Sequence, residues 1–235
     1  MEPAAAMNPN SPALNKPAPL ADQAALARLG EEVRARLAAD PGAWRMPTDK
    51  AEIYAVADFL SPAECDRFIA LVDKVAKPSA VFDLKYEAGF RTSYSGDVDR
   101  DDPFVRMIER RIDDLLGMEP DHGESVQGQR YLPGQEFRAH CDWFWTLAKY
   151  WQAERKRGGQ RSWTAMAYLN DVEEGGVTDF TRIGISVPPQ RGALLVWNNA
   201  APDGAPNWDT MHAAQPVVRG VKYVITKWYR TRKWG

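Results

Sequence analysis

The chain has 235 residues, 44% of them hydrophobic, enough to bury one substantial core. Lys and Arg (30) nearly balance Asp and Glu (32) for a net charge of −2, which argues against binding nucleic acid through an overall basic excess. No run approaches the ~20 apolar residues of a membrane span. Two cysteines and no basic-then-apolar start in residues 1–20 lead us to expect a soluble, cytoplasmic protein with reduced thiols and no membrane partner.

Residues 1–20, rich in Pro, Ala and Asn, carry too little bulky apolar surface to offset the entropy of ordering and read as a flexible tail. Over residues 22–39, Leu26, Leu29, Val33 and Leu37 recur at helical spacing before Asp40, Pro41 and Gly42 stop the helix. Residues 52–59 read as a strand. Ser61, Pro62 and Glu64 then form a capping box with Pro at the first helical position. The helix that follows presents Cys65, Phe68, Ile69 and Val72 on one face, so Cys65 is expected to be packing. Asp102 and Pro103 start another helix, with Val105, Ile108, Ile112, Leu115 and Leu116 on its stripe and Gly117 at its end; Arg110 and Arg111 should face water.

From about residue 124 the pattern shortens to apolar or alternating runs at 126–132, 164–169, 193–197, 215–218 and 223–229, which read as strands. Helices followed by strands predict an α+β domain, its helices bracing one face of a mainly antiparallel sheet or barrel.

Histidine occurs only at 122, 140 and 212, and His140 is separated from Asp142 by one residue. In a strand, side chains at i and i+2 share a face and can converge on one ion. His212 is the natural third ligand from a distant strand. Two imidazoles and one carboxylate on one face of a metal leave the other face open, which suits iron(II) chemistry with a co-substrate and dioxygen. Cys141, between the two ligands, should point away, and His122 should lie in a solvated turn.

Three blocks occur in order: residues 130–142 (RYLPGQEFRAHCD), 168–180 (YLNDVEEGGVTDF) and 212–223 (HAAQPVVRGVKY). Together they make residues 129–228 resemble the prolyl 4-hydroxylase branch of the 2-oxoglutarate-dependent oxygenases. The resemblance implies a double-stranded β-helix (jelly-roll) barrel braced by N-terminal helices. Residues 21–235 would form a single oxygenase domain, with helical support at 21–120 and a catalytic barrel at 121–235. Carried over position by position, it makes His140, Asp142 and His212 the iron(II) ligands and Lys222 the cation for the far carboxylate of 2-oxoglutarate. Tyr131, Thr178 and Tyr168 fall near the co-substrate, and Trp228 beside the site. Dioxygen is the second co-substrate and ascorbate an optional reductant. The presence of Asp142 favours hydroxylation over halogenation, since related halogenases leave that position empty for halide.

A buried dicarboxylate needs a charge partner, and an ammonium on a flexible stem provides one. Lys222 and Lys227 are an odd number of positions apart, so only one should point inward, and Lys227 is expected to be solvated. The aromatic run 143–151 and the charged stretch to Arg161 interrupt the barrel. They read either as a mobile lid whose rings stack on proline while Arg161 holds a peptide carbonyl, or as a packed helical excursion. Trp143 stands where the family commonly has a smaller aromatic, and Asp179 and Thr181 flank Phe180 in an unusual way, so the substrate pocket could differ. A prolyl residue in a peptide or protein leads as substrate; a free amino acid or other small molecule is the alternative. A non-catalytic ligand-binding barrel and an oxygenase of nucleic-acid bases are the weaker rivals.

Overall fold

The computed structural model describes residues 22–80 and 89–235, so the tail expected at residues 1–20 lies outside the described residues. The first helix, α1 (Gln23–Ala39), is capped by the Asp22 carboxylate, which accepts from the Ala25 N–H at 3.0 Å, and it buries Leu26, Val33 and Leu37. Helix α2 (Pro62–Val75) has the expected capping box: Ser61 Oγ accepts from the Glu64 N–H, and Glu64 accepts from the Ser61 N–H at 2.8 Å. Helix α3 (Pro103–Leu116) starts on Asp102 and ends at Gly117, whose φ of 67° is the left-handed conformation that glycine adopts without strain. Arg110 faces water as expected. Arg111 instead forks onto Glu64 at 2.7 and 3.0 Å, tying α3 to the start of α2; this pairing, with the capping bonds, holds the Glu64 carboxyl at about 2 despite the opposing effect of burial.

Among the described residues fourteen strands follow in chain order: β1 (Ala43–Arg45), β2 (Ile53–Val56), β3 (Lys77–Pro78), β4 (Tyr94–Asp97), β5 (Gln127–Tyr131), β6 (Phe137–His140), β7 (Arg161–Tyr168), β8 (Glu174–Gly175), β9 (Thr178–Phe180), β10 (Ile185–Val187), β11 (Leu194–Asn198), β12 (His212–Ala214), β13 (Val217–Arg219) and β14 (Lys222–Arg230). Eight form one antiparallel sheet in the order β1-β2-β11-β7-β14-β5-β4-β3, and four form a second in the order β10-β9-β12-β6. These sheets face each other as the two halves of a double-stranded β-helix. The segment expected as helical support, 21–120, contributes strands as well as helices, among them β2 within the strand expected at 52–59. Strands β1 to β4 come from the N-terminal part and extend both edges of the major sheet.

Side-chain alternation gives the major sheet two buried faces. Trp163, Ala165, Ala167, Ile225 and Tyr229 pack outward against α1, α2 and α3. Met166, Tyr168 and Val224 point into the barrel with Phe180, Leu195 and Trp197. Lys222 and Lys227 do lie on opposite faces, but the expectation that Lys227 is solvated fails, because α3 covers the outer face. Its ammonium is buried 2.8 Å from Asp113 Oδ1 and 3.4 Å from Glu109 Oε1, and the Tyr229 hydroxyl donates to the same Asp113 oxygen at 2.6 Å.

Helix α2 reaches the sheet at two facing glycines, Gly96 and Gly128. A Cβ on Gly128 would lie 2.4 Å from Val72 Cγ2, inside van der Waals contact. Gly128→Ala should therefore force the helix off the sheet and cost ~1–3 kcal/mol, lowering the melting temperature by several degrees. Calorimetry checks this, and an unchanged melting temperature would show that the contact can yield.

Candidate functional site

Strands β6 and β12 of the minor sheet bring the two histidines together: His140 and His212 are directly paired, with ring centroids 4.3 Å apart. The pairing of Ala214 with Phe137 two residues on shows a bulge in β6, the kind of irregularity that re-aims a side chain beside a site. It places Phe137 flat on the His140 imidazole, with centroids 3.6 Å apart and planes 16° off parallel. Asp142 lies just beyond β6, in a bend rather than in the strand. Its carboxylate nevertheless reaches both imidazoles, at 3.9 Å from His140 Nε2 and 3.8 Å from His212 Nε2. One candidate ligand atom from each of the three residues lies within 4.8 Å of the others.

The surroundings fix how these groups present themselves. His140 Nδ1 is 2.8 Å from the Arg138 carbonyl and His212 Nδ1 is 3.0 Å from the Thr210 carbonyl. A proton on each Nδ1 leaves the Nε2 lone pairs toward the cluster, the arrangement that metal-binding histidines require. Burial, then the neighbouring His212, pushes His140 down to about 3, so its imidazole is neutral and able to bind a cation at neutral pH. Burial works to raise Asp142, but His212, His140 and Arg161 outweigh it and hold the carboxyl low. Cys141 packs toward Leu26, Trp143 and Ala200, and burial followed by the Asp142 charge pushes its thiol up to about 12. Thiolate ligation is thereby disfavoured. His122 is half-buried in a short 3-10 turn, outside the cluster.

Two cavities meet at Phe137, His140, Asp142 and Trp228. The inner one, about 30 Å³, is also lined by Tyr131, Thr178, His212, Lys222 and Thr226. Lys222 is 1% exposed. Its ammonium lies 3.4 Å from Thr178 Oγ1, to which the Tyr168 hydroxyl donates at 2.8 Å, and faces the rings of Tyr131 and Tyr168 at 5.5 and 5.6 Å. Among the described residues no carboxylate offsets this charge, and burial alone brings Lys222 from 10.5 down to about 7. A buried ammonium with hydroxyls around it and no anion is a fitting receptor for the carboxylate of a small ligand. The Tyr131 hydroxyl donates to Gln129 at 2.7 Å.

The outer cavity, about 150 Å³, is walled by Phe90, Trp143, Phe144, Trp145, Tyr150 and Trp228 and carries Arg91 and Arg161. Arg161 forks onto Glu124 at 2.7 and 2.8 Å, lies 4.0 Å over the Trp228 ring, and turns its third nitrogen toward Asp142 at 3.9 Å. Residues 143–161 form the packed excursion. Its one helix, α4 (Trp151–Lys156), buries Trp151 and Glu154, and Glu154 pairs with Arg230 of β14. The Gln160 amide bonds both backbone groups of Phe144 at 2.8 and 2.9 Å, and Trp145 stacks on Trp208 with centroids 5.1 Å apart.

Sequence reasoning missed Phe137, Thr164, Thr226, Glu124 and Asn199. Strand parity from Lys222 would have flagged Thr226 on β14, and the register that sets Trp228 opposite Thr164 would then have flagged Thr164. The bulge hid Phe137.

A model of the 2OG-Fe(II) oxygenase superfamily matches residues 126–230. A probable prolyl 4-hydroxylase 8 of Arabidopsis thaliana is 32% identical over 202 residues, covering 75% of this chain and 68% of that protein. Prolyl 4-hydroxylase 1 of the same plant is 34% identical over 201 residues, covering 77% and 69%. The chain belongs to the prolyl 4-hydroxylase family of 2-oxoglutarate/Fe(II) oxygenases. A viral collagen prolyl hydroxylase from Paramecium Bursaria Chlorella virus-1, solved as a 2-oxoglutarate complex, superposes with a TM-score of 0.60 at 26% identity, covering 76% of this chain and 95% of that one. As a member of that family the chain is a dioxygenase that uses iron(II), 2-oxoglutarate and dioxygen. The nitrogen, nitrogen and carboxylate donor set suits iron(II), and the buried Lys222 suits the dicarboxylate. No helix among the described residues is long and apolar enough to cross a membrane.

If Lys222 receives the dicarboxylate, its low position gives binding a pH dependence. An ammonium is needed for the dicarboxylate, but above pH of about 7 the ligand-free side chain is increasingly neutral. Binding should then take up a proton, and affinity for 2-oxoglutarate should fall as pH rises, by at most about tenfold per unit. Calorimetric titration at about pH 8 in buffers of different ionisation heat should read close to one proton taken up per ligand. No uptake and a pH-independent Kd would contradict it.

Proposed function

We propose that this oxygenase hydroxylates a prolyl residue within a peptide or protein segment, with His140, Asp142 and His212 holding iron(II) and Lys222, Thr178, Tyr131 and Tyr168 receiving 2-oxoglutarate. The observation that carries this reading is the pair of cavities meeting at the histidine and carboxylate cluster, one ending on a buried ammonium and the other walled by aromatic rings. The first suits a dicarboxylate co-substrate. The second suits a prolyl ring, and prolyl 4-hydroxylases are the relatives at 32–34% identity.

Bound iron, with dioxygen and 2-oxoglutarate, supplies the oxidising power to cleave an unactivated C–H bond while the co-substrate loses carbon dioxide to give succinate. The protein contributes position and exclusion of water. The two Nδ1 contacts to backbone carbonyls lock the imidazole planes. Lys222 orients the dicarboxylate by its far end, with the Thr178 and Tyr168 hydroxyls assisting; burial keeps Tyr168 well above the ordinary phenol range and therefore protonated. Phe137 and Trp228 shield the junction of the cavities. Trp143 shapes the floor of the outer cavity, and Arg161, held by Glu124, offers its remaining nitrogen at the cavity edge to a peptide carbonyl. Residues 21–235 would act as one oxygenase domain.

Iron-loaded protein should be given proline-containing peptides, free proline and other free amino acids, and the products read by tandem mass spectrometry. A gain of one oxygen on a prolyl residue of a peptide is expected. Oxygen on free proline alone, or on another residue type, would overturn the peptidyl-prolyl reading while leaving the oxygenase intact.

A further inference from the structure

Two buried residues outside the cluster, Thr164 on β7 and Asn199 just after β11, are joined to both ends of it. Thr164 is fully buried and its Oγ1 donates to Asp142 Oδ2 at 2.9 Å. The direction of that bond is set by Asn199, whose Nδ2 donates into the same Thr164 oxygen at 2.9 Å. With a donor already pointing at its lone pair, the hydroxyl directs its only proton to the carboxylate. From Asn199 the chain of bonds continues to the other ligand. The Asn199 carbonyl accepts from the Asn207 N–H at 3.0 Å, the Asn207 carbonyl accepts from Thr210 Oγ1 at 2.7 Å, and the Thr210 carbonyl faces His212 Nδ1 at 3.0 Å.

We infer that Thr164 and Asn199 are positioning residues of the iron site: they reserve one oxygen of Asp142 for the Thr164 hydroxyl and tie that carboxylate to the loop that aims His212. This rests on the iron-site reading above. The consequence is a carboxylate that offers the ion a single oxygen, which keeps positions available for 2-oxoglutarate and dioxygen. Asp142 follows β6 in a bend, where no strand hydrogen-bond ladder restrains it, so the restraint has to come from side chains. Carboxylate and imidazole ligands held by outer hydrogen bonds lose metal affinity when those bonds are removed.

Manganese(II), an oxygen-stable stand-in for iron(II), should be titrated into wild type, Thr164→Val, Thr164→Ser and Asn199→Leu without 2-oxoglutarate, with free metal read by its electron paramagnetic resonance. Thr164→Val and Asn199→Leu should bind ~10–100-fold more weakly, while Thr164→Ser, which keeps the hydroxyl, should stay within a few-fold of wild type. The visible charge-transfer band of the anaerobic iron(II) and 2-oxoglutarate complex should shift in Thr164→Val and not in Thr164→Ser. Wild-type affinity in Thr164→Val, or a loss in Thr164→Ser as large as in Thr164→Val, would overturn the inference. If Thr164→Val does not fold, wild-type affinity in Asn199→Leu overturns it instead. Failure of the wild-type protein to bind manganese or iron would count against the iron site itself.

Discussion

Replacing Asp142 by Ala is expected to abolish coupled turnover, with a loss of more than the ~10–100-fold that removal of an outer hydrogen bond to a metal site costs. Asp142 is the one anion in the cluster of three among the described residues, and its carboxylate is buried between two imidazoles, of which burial keeps His140 neutral. Without it, a divalent cation would have to sit in a dry site with no negative charge from the protein, a cost on the scale of an unpaired buried ion. The effect is read as hydroxylated product per succinate formed, which separates true turnover from uncoupled loss of carbon dioxide. Wild-type-like coupled turnover in Asp142→Ala would contradict the role.

Lys222→Met is expected to act in opposite directions on function and on stability. Methionine keeps the volume and apolar stem but removes the ammonium, leaving the far carboxylate of 2-oxoglutarate buried and unpaired. Breaking a buried pair in this way costs ~3–5 kcal/mol, so the Kd for 2-oxoglutarate should rise by roughly two to four orders of magnitude. The ligand-free protein should become more stable. Burial moves Lys222 from 10.5 to about 7, so between those values the unfolded chain binds a proton that the folded chain does not, and stability rises with pH across that window. Below about 7 the native state carries the full penalty of the charge, on the order of a few kcal/mol. Lys222→Met removes it, and its melting temperature should exceed that of wild type most clearly near neutral pH and lose that advantage as pH rises toward 10.5. A lower melting temperature together with unchanged 2-oxoglutarate affinity would show that Lys222 is an ordinary packing residue.

The parts of the site that were legible in sequence are those written in local chemistry. The capping residues Ser61 and Asp102 located two helix starts, and the i and i+2 spacing of His140 and Asp142 pointed to convergence. The odd separation of Lys222 and Lys227 correctly placed them on opposite faces. The reason one of those faces is not solvent lies on another element. Glu109 and Asp113 sit within the apolar stripe of α3 rather than on its wet face, and they receive Lys227. That interleaving of acids with Ile108 and Ile112 was a usable signal, but only once α3 is known to lie over β14. The fate of residues 143–161 was undecided for a similar reason. What pins them is Gln160 on Phe144 and Arg230 on Glu154, contacts between positions that local periodicity does not connect. The stacking of Phe137 on His140 depends on a bulge, and a bulge breaks the parity rule by which strand faces are read.

Anaerobic addition of iron(II) and then 2-oxoglutarate, followed by visible absorption, tests the convergence of His140, Asp142, His212 and Lys222 most directly. A weak charge-transfer band saturating at one iron and one 2-oxoglutarate per chain is the expected result, with the band lost in His212→Ala and needing far more 2-oxoglutarate in Lys222→Met. A band that persists unchanged in both variants, or no band in the wild-type protein, would contradict it.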